Sequence, residues 1–177
     1  DHITGLPDIY ASAPLPADFG RRTTPIKLWG PDGVDHLAGG IEKMFADNNR
    51  MRLLQHETNV PATHIDVHTV KPGKVYDPRG VVVPAFMLEH GDTKPDYGYR
   101  ITYKGASVSI TDDCTISDNL IKNAKGADLV IQSVAIGSRE LEKAEPAYVN
   151  HFYSYLANPE RVSKMLTDID AKYAVMS

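Results

Sequence analysis

Apolar and polar positions alternate along much of the chain, and this alternation predicts several β-strands. Ile65 and Val67 are separated by polar residues, which is typical of a half-buried strand. The runs at 97–103 and 106–111 flank Lys104-Gly105, so they predict a hairpin. Further apolar runs predict strands at 26–29, 80–89, 128–134 and 172–176. Pro84 places an edge or a bulge within the strand at 80–89.

Other segments have the three-to-four-residue apolar spacing of amphipathic helices. In residues 34–48, Leu37, Ile41 and Met44 recur at this spacing. Asn158 is a suitable N-cap for a helix that begins at Pro159. The helices predicted from such signals cover residues 5–10, 34–48, 117–124, 141–156 and 158–170. Helices alternating with strands predict an α/β protein with a mixed sheet, and no linker divides residues 1–177, so we expect a single domain.

Composition and charge narrow the possible functions. Hydrophobic residues make up 42% of the 177 residues and charged residues 24%, which is ordinary globular composition. The net charge of −4 speaks against a nucleic-acid partner or an anionic membrane surface. Cys114 is the single cysteine, which excludes an internal disulfide and a four-cysteine zinc site. No apolar run approaches the ~20 residues that span a bilayer.

Several polar residues follow predicted strands, where α/β proteins often place their sites. His90 follows the strand at 80–89, and Asp112-Asp113 follow the strand at 106–111. Asp1-His2 is a metal-capable pair at the start of the chain. Ordinary structural roles are available to all of them: His90 as a loop histidine bonded to a carbonyl, and Asp113 as a helix cap or a solvated turn residue. The residue pattern alone favours these structural roles.

Four blocks of the sequence, in order, resemble the metallo-β-lactamase-fold hydrolase superfamily, nearest its ribonuclease Z-like and small-ester-hydrolase branches. They are DHITGLPD at 1–8, IKLWGPDG at 26–33, FMLEHG with KPDYGYR within 86–100, and SITDDC with SDNL and ADLVI within 109–131. The first resembles the end of the His-x-His-x-Asp-His metal motif. The third resembles the block with an isolated metal histidine, and the fourth resembles the block whose Asp bridges two metals.

The resemblance implies a role for each matching residue. Asp1 and His2 match ligands of a second zinc, His90 a ligand of the first, and Asp113 the bridging carboxylate. Asp1 and Asp113 are the implied catalytic residues. Two Zn²⁺ ions would hold a hydroxide that attacks an ester, lactone, lactam or sulfate-like substrate. The implied fold is a partial αββα sandwich with mixed sheets and helices on the outer faces.

The sequence also departs from the superfamily pattern. Asp112 stands where relatives have Gly, Gln132-Ser133 replace a His-Glu pair, and Leu156 replaces a proton-donating histidine. Other metal ligands would precede Asp1 and follow Ser177, so we expect the natural protein to extend in both directions.

These departures leave three functions open. The leading one is a metal-dependent hydrolase of a small molecule, without a nucleic-acid or membrane partner. A ribonuclease Z-like nuclease and a catalytically weakened metal-binding or interaction homologue are the alternatives. The sequence leaves a homo-oligomer possible and does not give the cellular compartment.

Overall fold

The computed structural model describes residues 2–16 and 20–177, which form two compact units. The first unit is Asp1–Val70 and the second is Lys71–Ser177. The single domain predicted for residues 1–177 remains a prediction. Within the described residues, no helix is long and apolar enough to cross a membrane.

The first unit is built around two parallel strands joined by a helical crossover. Its elements are α1 (Leu6–Ser12), β1 (Ile26–Gly30), α2 (Val34–Met44), α3 (Ala46–Leu54), a short 3-10 helix (Pro61–Thr63) and β2 (Ile65–Thr69). Ile26 pairs with Ile65 and Gly30 with Thr69, so β1 and β2 run in register over their full length. A parallel pair requires a crossover connection, which α2 and α3 provide.

The single helix predicted at 34–48 is wrong, because the chain forms two helices that meet at Phe45. Phe45 leaves helical geometry with φ −97° and ψ 8°, and α3 then continues to Leu54. The Phe45 carbonyl accepts the Asn49 N–H, and the Phe45 ring packs 5.6 Å from the Tyr10 ring. Tyr10 is fully buried and its hydroxyl donates to the Thr63 carbonyl at 2.7 Å. Tertiary packing of this aromatic pair accompanies a bend that the apolar spacing does not reveal.

The second unit is a six-stranded mixed sheet with strands in sequence order. Its strands are β3 (Gly73–Tyr76), β4 (Val83–Met87), β5 (Tyr97–Tyr103), β6 (Ala106–Asp112), β7 (Leu129–Gln132) and β8 (Tyr173–Met176). The strands β3 to β6 are antiparallel neighbours, whereas β6, β7 and β8 are parallel. This sheet confirms the predicted α/β class. Pro84 lies in β4, which is not an edge strand, and the register shift opposite it is in β3, between Lys74 and Tyr76.

The helices of the second unit are α4 (Asp118–Ala124), α5 (Arg139–Ala144), α6 (Pro146–Tyr155) and α7 (Pro159–Ile169). Of these, α4 and α7 pack on the sheet and form the core with it. Leu120 of α4 and Met165 of α7 pack in one buried cluster with Phe86 and Val130 of the sheet. Asn158 caps α7 as predicted, since its side chain accepts the Arg161 N–H at 3.0 Å.

The single helix predicted at 141–156 is also wrong. Two helices, α5 and α6, replace it, and they break at Glu145, which has φ −132° and ψ 57°. Pro146 follows directly, and a residue before proline is pushed out of the helical region by the proline ring. The break has a clear sequence signal.

Candidate metal centre

His90 lies just after β4, and the fold fixes the orientation of its ring. The residue is 8% exposed, and its Nδ1 lies 3.0 Å from the carbonyl oxygen of Tyr155 at the end of α6. A carbonyl oxygen can only accept, so Nδ1 carries the proton and donates it. In the neutral ring Nε2 then presents a lone pair. This bond is the one expected for a structural loop histidine, and it also orients the ring for metal binding through the other nitrogen.

Gly91 allows the chain to approach Tyr155 closely. Its φ is +56°, and a Cβ at this position would lie 2.9 Å from the Tyr155 Cβ. The Tyr155 ring meets the His90 ring edge to face, with 5.5 Å between centroids. The glycine therefore permits the contact that holds His90 against the end of α6.

The bridging-carboxylate candidate, Asp113, follows a strained turn at the end of β6. Asp112 has φ +44°, and the pairing of β6 with β7 shifts register between Ile110 and Asp112. A positive φ explains why a glycine suits this position in the superfamily pattern. Aspartate is one of the few other residues that adopt this conformation readily, so the replacement preserves the turn that presents half-buried Asp113.

Gln132 holds this turn from the neighbouring strand β7. Its side-chain oxygen accepts the Thr111 hydroxyl at 2.5 Å, and its Nε2 donates to the Asp112 carbonyl at 3.1 Å. The adjacent Ser133 hydroxyl donates to the Asp112 carboxylate at 3.1 Å. Gln132 is 1% exposed and its bond with Thr111 is buried, so loss of that bond would leave an unsatisfied buried polar group. The replacement of the His-Glu pair therefore retains polar side chains that fix the ends of β6 and β7.

Sequence reasoning missed Asp96, which lies at the same end of the sheet. Its Oδ1 accepts the Tyr97 N–H at 3.0 Å, whereas its Oδ2 is buried and has no hydrogen-bond partner among the described residues. Burial raises the pKa of the Asp96 carboxyl, His90 and the Tyr97 N–H lower it, and Asp112 and Asp113 raise it further. The charges of both proposed ligands therefore contribute to the electrostatic environment of Asp96.

Cys114 follows Asp113 and is inert as a nucleophile. Burial raises the pKa of its thiol to about 12, and Asp96, Asp112 and Asp113 contribute to the rise. The Gln132 side chain, a hydrogen-bond donor whose Nε2 lies 3.7 Å from the sulfur, lowers the pKa of the thiol. A thiol in this state carries almost no thiolate at neutral pH.

The structure does not bring all four predicted metal ligands together. Asp1 lies outside the described residues. His2 is exposed in the first unit, beside a cleft of about 490 Å³ that Leu6, Leu28 and Trp29 also line. His90 and Asp113 both follow strands of the second unit at the same end of its sheet. Within residues 2–16 and 20–177, no three His, Cys, Asp or Glu side chains are grouped closely enough to hold a metal ion, so the four-residue set stays a prediction.

The residues of the second unit nonetheless fit a zinc site in their chemistry. His90 offers an oriented imidazole nitrogen, and Asp96 has an enclosed carboxylate oxygen without a partner. Imidazole and carboxylate are ligands that Zn²⁺ accepts. Buried oxygens of this kind are costly unless a proton, a water molecule or a cation satisfies them.

Curated relatives with detectable sequence similarity are named ribonuclease Z. The protein of Mycobacterium bovis is 28% identical over 134 residues, which are 76% of this chain and 48% of that protein. That of Mycolicibacterium gilvum is 25% identical over 168 residues, or 94% of this chain and 58% of the relative. This chain spans about half the length of the curated relatives it matches. No protein-family model matches it.

Solved structures with the same fold cover nearly all of the chain. The metallo-β-lactamase fold protein YhfI from Bacillus subtilis superimposes with a TM-score of 0.64 at 16% identity, over 100% of this chain and 60% of its own. Human tRNase Z, short form, superimposes with a TM-score of 0.59 at 18% identity, over 99% of this chain and 67% of its own. A diphosphatase of the PhnP family superimposes with a TM-score of 0.60 at 14% identity, over 98% of this chain and 54% of its own. These likenesses confirm the architecture that the four sequence blocks imply: the chain is a metallo-β-lactamase-fold protein.

Proposed function

We propose that this chain is part of a metal-dependent hydrolase that acts on a small ester, lactone, lactam or sulfate-like substrate. The observation that carries the proposal is the geometry of His90, whose Nδ1 is bound to the Tyr155 carbonyl so that Nε2 is available. The fold and the names ribonuclease Z and diphosphatase among the relatives support a hydrolase in general, without selecting the substrate. Two zinc ions are the expected cofactor, from the superfamily pattern.

Zinc, when bound, acidifies coordinated water and polarises a substrate carbonyl or phosphoryl oxygen. The chain's own contribution is to hold the donor groups in place. His90 is oriented by Tyr155, and the Asp113 turn is held by the Gln132 side chain. Asp113 supplies the anion with two oxygens that the superfamily pattern assigns to a bridging ligand. The matching of Asp1 and His2 to further ligands remains part of the proposal.

The second candidate is a ribonuclease Z-like nuclease. The curated relatives favour it because they carry that name, and they weaken the prediction that nucleic acid is not the substrate. The net charge of −4 favours a small molecule, since enzymes that bind RNA normally present a basic surface.

A single assay panel on the full-length protein separates these functions. Turnover of model esters and lactones, lost on zinc removal and in His90→Ala, would support the proposal. Cleavage of a tRNA precursor in preference to esters would support the nuclease. Retention of zinc without turnover of either class would identify a non-catalytic homologue. His36→Ala is the matched control, because His36 is a highly exposed histidine on α2 of the first unit.

A further inference from the structure

Strand pairing places Asp96 between the segments that carry His90 and Asp113. The Leu88 N–H donates to the Asp96 carbonyl at 2.9 Å, so Asp96 lies opposite a residue only two positions before His90. On the other side, β5 pairs with β6 so that Tyr99 faces Ile110 and Arg100 faces Ser109. This pairing ends at Tyr99 and Ile110, so Asp96 lies three positions before the paired part of β5 and Asp113 three positions after the paired part of β6.

Strand alternation assigns the side chain of Asp96 to the helix-covered face of the sheet. Side chains two positions apart lie on the same face of a strand, so Asp96 shares a face with Gly98 and Arg100. Arg100 reaches the end of α4 by donating to the Asn123 and Lys125 carbonyls. Gly98 lies against the Phe86 ring of the core. Asp96 as a whole is half-buried, and its Oδ2 atom is enclosed.

One oxygen of this carboxylate has no partner to offset its burial. The Asp96 Oδ1 is satisfied by the Tyr97 N–H, but Oδ2 is enclosed and accepts no hydrogen bond among the described residues. A purely structural carboxylate here would be unfavourable, because leaving a buried acceptor unpaired costs free energy. A cation held by the neighbouring His90 would satisfy it.

We propose that Asp96 is an additional carboxylate donor to the metal ion that His90 holds. The superfamily pattern does not assign this role, and the proposal rests on the metal centre proposed above. Zn²⁺ accepts mixed histidine and carboxylate ligands. The Asp96 oxygen would therefore raise metal affinity, at some expense of stability in the metal-free protein.

The test compares Asp96→Asn with the wild type in the full-length protein. Asparagine keeps the side-chain oxygen that accepts the Tyr97 N–H but removes the charge. Zn²⁺ affinity is measured by competition with a chromophoric chelator, and the stability of the metal-free form by urea unfolding. Asp92→Asn is the matched control, since Asp92 is an exposed carboxylate in the loop after His90.

We expect Asp96→Asn to weaken Zn²⁺ binding by about 10- to 100-fold, with an unchanged or higher urea midpoint for the metal-free protein. Affinity within twofold of the wild type would overturn the assignment and leave the proposed function standing. A lower midpoint of the metal-free variant would show a structural role and also overturn it. A wild-type protein without Zn²⁺ affinity would refute the proposed function and this inference together.

Discussion

At the scale of single residues, the question for Asp113 is whether its carboxylate is a metal ligand or has a structural role. One structural alternative was a helix cap, but Ser117 caps α4, since its hydroxyl accepts the Leu120 N–H at 3.3 Å. Asp113 instead follows the strained Asp112 and precedes buried Cys114. A capping role therefore does not explain the carboxylate.

We predict that Asp113→Asn in the full-length protein lowers kcat/KM by at least about 100-fold, because the amide keeps the shape but loses the anionic ligand. Urea unfolding should show little change in the free energy of unfolding of the metal-free form. Ser117→Ala is the contrasting variant, with a stability loss of about 1 kcal/mol and near-normal kcat/KM. Normal turnover by folded Asp113→Asn would contradict the assigned role.

Gly91 gives a second residue-scale prediction. Both Gly91 and Gly105 have positive φ, at +56° and +84°, but only Gly91 has a neighbour where its Cβ would be. Gly105→Ala should therefore cost about 1 kcal/mol through backbone conformation alone. Gly91→Ala should cost about 1–3 kcal/mol more, because its methyl group overlaps Tyr155.

Displacement of Tyr155 should also disturb His90. Zn²⁺ affinity should accordingly fall in Gly91→Ala and remain normal in Gly105→Ala, with denaturant unfolding and chelator competition as the measurements. Equal effects of the two substitutions on both properties would show that the contact with Tyr155 is unimportant.

At the scale of elements, the Asp128 side chain connects the N-terminal ends of three neighbouring strands. Its carboxylate accepts the Ser107 N–H of β6 at 2.7 Å and pairs with Lys172 just before β8. The hydrogen bond from Lys172, followed by the Ser107 N–H, lowers the pKa of the Asp128 carboxyl. Asp128 itself precedes β7, so the pair connects the parallel part of the sheet.

A lowered pKa in the folded state means that this carboxylate stabilises the protein above the pKa of an unfolded aspartate, about 3.9. The contribution is lost as pH falls through the lower folded value. We therefore predict that Asp128→Asn is less stable than the wild type at pH 7 and that the difference shrinks below about pH 4. Urea midpoints across this range provide the measurement, with Asp92→Asn as control. A difference independent of pH would contradict the charge-based account.

Most elements follow from local sequence patterns, and the errors have identifiable causes. The hairpin of β5 and β6 is correctly predicted because Lys104 and Gly105 both adopt the positive φ of a tight turn. The break at Glu145 has a signal in the following proline, whereas the break at Phe45 accompanies a contact with Tyr10 that is distant in sequence. The strand β3 is missed because four residues carry too little periodicity.

The residues of the candidate site are harder to predict from local sequence patterns than the helices and strands are. His90 and Asp113 acquire importance only through the resemblance, since their residue types alone suit ordinary loops. Asp96 has no sequence signal, because its interest depends on the burial of one oxygen atom. Local pattern can locate the ends of strands, but it cannot show which polar side chains there lack a partner.

At the scale of the whole molecule, the fold limits the possible functions less than the metal-binding side chains do. The metallo-β-lactamase fold hosts proteins as different as a tRNase and a diphosphatase among the structures that match this chain. Fold alone therefore does not select a substrate. Our proposal is therefore narrower than a substrate assignment: we propose that the sheet of the second unit brings His90 and Asp113 into one metal centre.

The most direct test is a crystal structure of the full-length protein with zinc, in which anomalous scattering locates the metal. We predict a zinc ion about 2.0–2.1 Å from the His90 Nε2 and a zinc ion about 2.0–2.2 Å from an Asp113 carboxylate oxygen. His90 Nδ1 should remain bonded to the Tyr155 carbonyl. Zinc bound at a site that involves neither side chain would contradict the account.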